Sequence, residues 1–166
     1  MFAATFRRAS PLAMALAVGL TLGACARNGD DQDALNGAYP AAGPGSIQEF
    51  SATVGDRVFF DTDSTELSGT AQATLDKQAA WLTHYNRYTF TIEGHADERG
   101  TREYNFALGA RRADAAKNYL IAKGVAAARM KTISYGKERP VAVCNDISCW
   151  SQNRRAVTVL AGATGS

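Results

Sequence analysis

Apolar positions change spacing sharply from one stretch of this chain to the next. Pro11 to Ala24 reads PLAMALAVGLTLGA, uncharged and almost continuous, behind the basic pair Arg7 and Arg8. From Ala26 to Ser46 large apolar residues nearly vanish among Asp, Asn, Gly and Pro. From about Ile47 they return with regular periods. Arg57 to Phe60 is a short β-branched and aromatic run and predicts a strand. Ala71, Leu75, Ala79 and Leu82 recur at helical spacing behind Ser68. They predict a helix over 69–85, capped by Ser68, with those four on its buried face. Tyr88 to Gly94 alternates, with Phe90 and Ile92 on one side and Thr89, Thr91 and Glu93 on the other, which predicts a half-buried strand. Thr101 suits the cap of a second helix running to Lys123. There Gly124 suits a left-handed C-terminal position, and Lys123 suits the negative end of the dipole. Met130 to Tyr135 predicts a third strand. Arg155 to Leu160, with Val157 and Val159 alternating, predicts a fourth, and a short helix over 148–153 precedes it. Strands alternating with helices predict an α/β sandwich with the helices on one face.

These changes of spacing divide the chain. Residues 1–24 have the basic start and apolar centre of a secretory signal peptide. The uncharged run from Ala9 to Ala26 contains Ser10, Pro11 and Thr21. That makes it a poorer candidate for a membrane span, which needs about 20 mostly apolar residues. Leu22-Gly23-Ala24-Cys25 resembles the lipobox of bacterial lipoproteins. The resemblance implies that Cys25 becomes the N-terminus, carrying a diacylglyceryl group and an amide-linked acyl chain. It also implies that Ala26 after it is compatible with the outer membrane. The alternative is a free cysteine beside an ordinary cleavage site. Residues 25–46 are then a lipidated N-terminus and a flexible tether, too poor in apolar surface to offset ordering entropy and reaching about 70 Å at full stretch. Residues 47–161 are the folded domain, and 162–166 a disordered tail.

Composition narrows the reading. A content of 46% hydrophobic and 20% charged residues excludes a wholly disordered chain. Lys+Arg minus Asp+Glu is 18 − 16, or +2; without Arg7 and Arg8 it is 16 − 16, or zero. A neutral exported chain is a poor nucleic-acid binder, despite Arg111-Arg112 and Arg154-Arg155. Of three cysteines, lipidation of Cys25 leaves Cys144 and Cys149 as an even pair. An oxidising compartment favours a disulfide between them, contributing roughly 2 kcal/mol; the alternative is two buried thiols.

Candidate chemistry concentrates where the second strand meets the second long helix. Gly94-His95-Ala96-Asp97-Glu98-Arg99-Gly100-Thr101 leaves the carboxyl end of a strand, where ligands of such folds usually bind. Asp97 offers an acceptor-only carboxylate and Arg112, further along, a planar donor fork. Spacing alone does not pair them. Asp97 could instead cap the helix or bind loop amides, and Arg112 could be a solvated surface residue. His95 and Asp97 are too few for a metal site, and His95 reads as a histidine held against its strand by hydrogen bonds. No G-x-S-x-G is present. Asp61, Asp63, Asp97 and Glu98 lie among glycines and turn formers, where carboxylates are usually turn residues.

The run GHADERGTREYNFALGARRADAAKNYL resembles the signature of OmpA-like peptidoglycan-binding domains. VFFDTDSTEL before it, and SYGKERP and NRRAVTVL after it, resemble the family's opening and closing segments, so the likeness spans Val58 to Leu160. It implies a βαβαβ(α)β domain with a four-stranded mixed sheet and helices on one face. It also implies a grip on the diaminopimelate of the peptidoglycan stem peptide, Asp97 meeting its ammonium and Arg112 its carboxylate. Phe60 and Asp61 match a loop that gives backbone contacts, and Asn105 and Leu108 match positions that shape the pocket. Their alternatives are plainer: Leu108 in the core, and Asn105 bracing the 98–101 loop. Arg155 is a candidate minor contact. The resemblance further implies a periplasmic propeller protein of the Tol system as partner, a role in envelope constriction during division, no cofactor, no metal and no catalysis. Ala96 and Gly109 depart from the threonine and serine frequent there, and Gly109 inside a helix costs about 1 kcal/mol relative to alanine. Two rival readings are a peptidoglycan-modifying lipoprotein enzyme and a partner-binding lipoprotein without wall contact.

Overall fold

The computed structural model describes residues 43–161. The expected signal peptide, Cys25, most of the tether and the 162–166 tail lie outside them. Ser46 caps a helical turn, α1 (Ile47–Glu49), which widens into a π-helix over Phe50–Gly55. Then follow β1 (Arg57–Phe59), α2 (Gly69–His84), β2 (Phe90–His95), α3 (Arg102–Ala122), a 3₁₀ turn over Ala127–Arg129, β3 (Met130–Gly136), α4 (Ile147–Asn153) and β4 (Arg155–Leu160). The caps are those expected. Ser68 Oγ accepts from Ala71 N, Thr101 Oγ1 accepts from Tyr104 N, and Gly124 sits at φ +94°. Lys123 also pairs with Asp76 at 2.7 Å.

The sheet order is β1-β4-β2-β3. β2 and β3 are parallel, joined over one face by α3, and β4 inserts antiparallel between β1 and β2. Val58, Phe90, Ile92, Met130, Ala156 and Leu160 point into the core. There they meet Leu75 and Leu82 of α2 and Ala113, Ala116 and Leu120 of α3. The β4 alternation runs opposite to the one its valines suggest. Val157 is half-buried and Val159 exposed, while Ala156, Thr158 and Leu160 are buried. Register explains it: Thr158 pairs with the core residue Ile92, and Val157 with outward-facing Glu93. Thr158 is tolerated inside because its hydroxyl donates to Gln78 Oε1 at 2.9 Å, and Gln78 Nε2 donates to the Gly55 carbonyl at 2.6 Å.

The segment over 47–55 is an element the periodicity does not predict. Phe50, 1% exposed, meets the Trp81 ring at 4.9 Å, and Trp81 Nε1 donates to Glu49 at 2.9 Å. Gly45, expected at the end of the tether, accepts from Tyr88 Oη at 2.6 Å and from Arg87 at 2.7 Å.

Two glycines set how closely α3 lies on the sheet. A Cβ at Gly94 would fall 1.8 Å from the Gly109 carbonyl oxygen, and one at Gly109 would fall 2.5 Å from Ser134 Oγ. Gly109 is therefore no mere helix weakness; it lets the helix backbone touch β2. We expect Gly109→Ala to destabilise the domain, against the gain of about 1 kcal/mol that helix propensity alone assigns. Gly94→Ala should be worse, at the upper end of the roughly 1–3 kcal/mol typical of overpacking. Gly69→Ala, with open space around it, should be neutral or stabilising. Urea unfolding of the three variants checks the order.

Candidate ligand-binding site

The site begins where β2 ends. The β2–β3 register shifts between Gly94 and His95, and Ala96 N donates to the Gly136 carbonyl at 2.8 Å. The chain then turns through Asp97–Gly100, closing with Gly100 at φ +86° before Thr101 caps α3. Asp97 Oδ1 accepts from the backbone N and from Nε of Arg99, each at 3.2 Å. Its Oδ2 accepts from Arg99 Nη2 at 2.7 Å and from Arg154 Nη1 at 3.3 Å. Asp97 thus binds a loop amide, as one alternative held, but does not cap the helix.

Arg112 is not a surface residue; it is 0% exposed. Its Nε donates to the Ser64 carbonyl at 2.9 Å, Nη1 to His95 at 2.9 Å and Nη2 to Asp61 at 3.0 Å. From the third turn of α3 it ties the loop after β1 to the end of β2. Asp97, Asn105, Leu108 and Arg112 line one small cleft of about 190 Å³, together with Thr62, Asp63, Arg99 and Tyr104. Folding therefore brings together the carboxylate and guanidinium that spacing could not pair. Asn105 also braces the loop, its Nδ2 donating to the Arg99 carbonyl at 2.7 Å. Phe60 and Asp61 line a neighbouring cleft of about 570 Å³ instead. Their carbonyls are already taken, Phe60 by Arg154 Nε at 3.0 Å and Asp61 by Arg112. The Phe60 ring centroid lies 5.2 Å from the Arg112 guanidinium carbon.

Several contributors escaped the sequence reading. Arg154, not Arg155, reaches Asp97; Arg155 donates to the Asn153 and Arg139 carbonyls. Strand alternation held the signal, since Arg155 shares a face with Val157 and Val159 while Arg154 starts the other. Trp150 of α4 donates to Glu98 Oε1 and lies under the Arg99 guanidinium at 4.2 Å. Lys137 Nζ donates to the carbonyls of Glu98 and Gly100. Cys144 and Cys149 are bonded, so the free-thiol alternative falls. The roomiest of these clefts, about 630 Å³ between the start of α3 and the end of β3, holds neither Asp97 nor Arg112.

Burial alone would push the Asp97 carboxyl up. Hydrogen bonds from the Arg99 side chain and backbone, and from Arg154, outweigh it and hold the group below its usual 3.8. Burial, then the neighbouring Arg154, brings Arg112 down to about 10, so it stays cationic at neutral pH. His95 differs from the expected hydrogen-bonded histidine. Its ring is 2% exposed, neither nitrogen makes a hydrogen bond although Nε2 stands 3.8 Å from Glu93 Oε2, and it lies against Tyr135 at 5.6 Å. Burial, then Arg155, Arg139 and Arg57, pushes it down to about 4. Fixed opposite charges at a small cleft equip the site to hold a zwitterion. Among the described residues no group of three or more His, Cys, Asp or Glu could hold a metal.

Residues 59–154 match the model of the OmpA family. The peptidoglycan-associated lipoprotein of Mesorhizobium japonicum is 60% identical over 158 residues, covering 93% of this chain and 94% of that protein. The protein of the same name from Rhizobium meliloti is 62% identical over 157 residues, covering 93% and 89%. The crystal structure of the peptidoglycan-associated lipoprotein from Burkholderia pseudomallei superposes with a TM-score of 0.64 at 41% identity, over 67% of this chain and 96% of that one. The C-terminal domain of Helicobacter pylori MotB shares the fold at 20% identity and a TM-score of 0.61, over 66% and 86%.

The His95 and Asp97 environments both weaken the fold in acid, in different pH windows. His95 is lowered in the fold, so between pH 6.5 and about 4 the unfolded chain binds a proton that the native chain does not. Stability should fall as pH drops through that window, by at most about 1.4 kcal/mol per unit. Asp97 is also lowered, but its contribution persists until pH falls below 3.8. Thermal unfolding from pH 7 to 4.5 should therefore show a decline in melting temperature that His95→Phe largely flattens.

Proposed function

The chain belongs to the OmpA family, and from that premise we propose that it is a lipid-anchored outer-membrane protein whose periplasmic domain binds peptidoglycan non-covalently. The observation that carries this reading is the cleft where Asp97 and Arg112 meet within the matched region. The ligand is the diaminopimelate of the stem peptide. Its ammonium meets Asp97, an ionised acceptor, and its carboxylate meets the part of the Arg112 donor fork that the three carbonyls leave free. Asn105 and Leu108 shape the cleft, and Phe60 and Asp61 set the loop above Arg112. The names of the close relatives support the wall as target.

The anchoring end rests on sequence. Cys25 carries the acyl groups, which together give stable insertion, and the segment to residue 46 spans from membrane to wall. Lipid at one end and wall at the other make a bivalent clamp, in which the tether sets the effective concentration of the second contact. Among the described residues no helix is long and apolar enough to cross a membrane. The protein acts in the Tol-Pal system during envelope constriction, with the periplasmic propeller protein as partner. The reading is of a binder and not an enzyme, supported by the OmpA family match and the names of the relatives.

The test is co-sedimentation of the full-length chain, in detergent, with purified sacculi. Wild type should sediment, and free diaminopimelate should compete. Asp97→Asn keeps the shape and removes the charge. It should weaken binding at least tenfold, because losing one member of a charge-assisted pair commonly costs about 2–5 kcal/mol. Arg112→Ala would orphan three carbonyls, so Arg112→Lys is the better partner variant; it keeps a charge and loses the planar fork. Unchanged sedimentation of Asp97→Asn would refute the charged cleft as the wall site. A wild type that stays in solution yet captures the propeller protein would favour the partner-only reading.

A further inference from the structure

The Asp97–Gly100 loop has no regular structure of its own, so its shape depends on what holds it. Asn105 of α3 and Lys137 after β3 grip its carbonyls. The third hold acts on the side chains of the loop instead. Trp150 donates its Nε1–H to the Glu98 carboxylate and presents its ring to the Arg99 guanidinium, whose carbon stands 4.2 Å from the ring centroid. Arg99 in turn makes the shortest contact to Asp97, at 2.7 Å. Trp150 is therefore one residue removed from the carboxylate.

Trp150 sits on a weak platform. α4 spans only Ile147–Asn153, too short to persist without outside help. Its packed face is small: Cys149 and Asn153 are its buried residues, while Ile147 is 58% exposed. The incoming loop is little better anchored, with Val141 53% and Val143 87% exposed. Asp146 caps its first turn, accepting from Ser148 N at 2.8 Å, and two further devices hold the platform. Asn153 Oδ1 accepts from the backbone N–H of Val141 and Ala142, and its Nδ2 donates to the Ala142 carbonyl at 2.8 Å. The Cys144–Cys149 bond closes the loop directly onto the residue before Trp150.

We propose that Trp150 is a positioning residue for the Asp97 loop, and that the Cys144–Cys149 disulfide acts on the ligand site through it. The bridge fixes the start of α4, α4 fixes the indole, and the indole holds Glu98 and Arg99 so that Asp97 keeps its orientation. The disulfide is then part of the binding apparatus although neither sulfur touches the cleft. The proposal rests on the wall-binding reading for its ligand, and on the contacts above for its coupling.

The experiment is a double-mutant cycle on the full-length chain in detergent, using Cys144→Ser with Cys149→Ser, Trp150→Ala, and all three together. Sacculus binding is read at a temperature where melting curves show each variant folded. Hydrogen exchange of the Glu98–Gly100 amides is followed in parallel. We expect the cysteine pair and Trp150→Ala each to weaken binding about fivefold to tenfold and to speed exchange of those amides. The combination should be no weaker than Trp150→Ala alone, the non-additivity of groups acting in series. Trp150→Phe keeps a ring beneath Arg99 but lacks the Nε1–H, and should recover part of the loss. Unchanged binding in the cysteine pair, or losses that multiply in the combination, would overturn the coupling. If wild type itself does not bind sacculi, the wall reading fails, and exchange alone decides. Faster exchange of the loop amides in the variants upholds the coupling, and unchanged exchange sinks it.

Discussion

The buried guanidinium of Arg112 is the constraint around which the functional end of the domain is arranged. A cation with no solvent exposure is tolerable only if its hydrogen bonds are met and a countercharge is near. Three backbone carbonyls meet the first need, from Ser64, Asp61 and His95. Those carbonyls belong to two segments that share no ladder at that point, so the arginine is also their bracket. Asp97 contributes to the second need, and it must serve Arg154 as well, whose buried guanidinium lies 3.3 Å away. The cleft lining sets Asp63 and Asp97 against Arg99 and Arg112, and Arg154 bonds Asp97 as well. A zwitterion offering a carboxylate on the arginine side and an ammonium on the aspartate side would complete the pattern without adding net charge.

That bracket works only if α3 sits at one height over the sheet. The contact of Gly94 with Gly109 sets the height, because the helix carbonyl occupies the space a strand Cβ would fill. Arg112 follows Gly109 by three residues, so one turn of helix carries backbone contact at one end and the buried guanidinium at the other. A helix pushed outward by a methyl group would stretch the bond to His95 first, since His95 adjoins Gly94. Packing and recognition are thus coupled over a single turn, and a glycine that propensity counts as a defect is what permits the fit.

Periodicity carried much of the fold. Ala71, Leu75, Ala79 and Leu82 are all buried on α2, and the caps at Ser68 and Thr101 are where hydroxyls predicted them. What the sequence hid was long-range. Val157 and Val159 look like core residues until the pairing with β2 gives the buried face to Ala156, Thr158 and Leu160. The same parity separates Arg154, which faces the site, from Arg155, which does not. Phe50 belongs to no readable period, because a π-helix presents its side chains out of step with an α-helix. His95 resembled a hydrogen-bonded strand residue, yet in its packing against Tyr135 neither nitrogen makes a hydrogen bond. The meeting of Asp97 with Arg112 was legible only through family likeness, since it depends on how α3 crosses the end of β2.

Binding is cheapest at a site whose groups need no ordering when the ligand arrives. Here the loop amide of Arg99 is bonded to Asp97, Asn105 fixes the Arg99 carbonyl, Lys137 fixes Glu98 and Gly100, and Arg154 fixes both Asp97 and Phe60. These restraints come from four separate parts of the chain, so none has to be created by the ligand. The exception is the Arg99 side chain, 41% exposed and held to Asp97 by an ion pair. Its exposure makes that pair weak in net terms, because water screens it and a long side chain must be immobilised to keep it. On the wall-binding reading, a ligand ammonium would meet a carboxylate that Arg99 and Arg154 already orient. The free energy of recognition would then come from that contact and from the Arg112 side of the cleft, not from folding the loop.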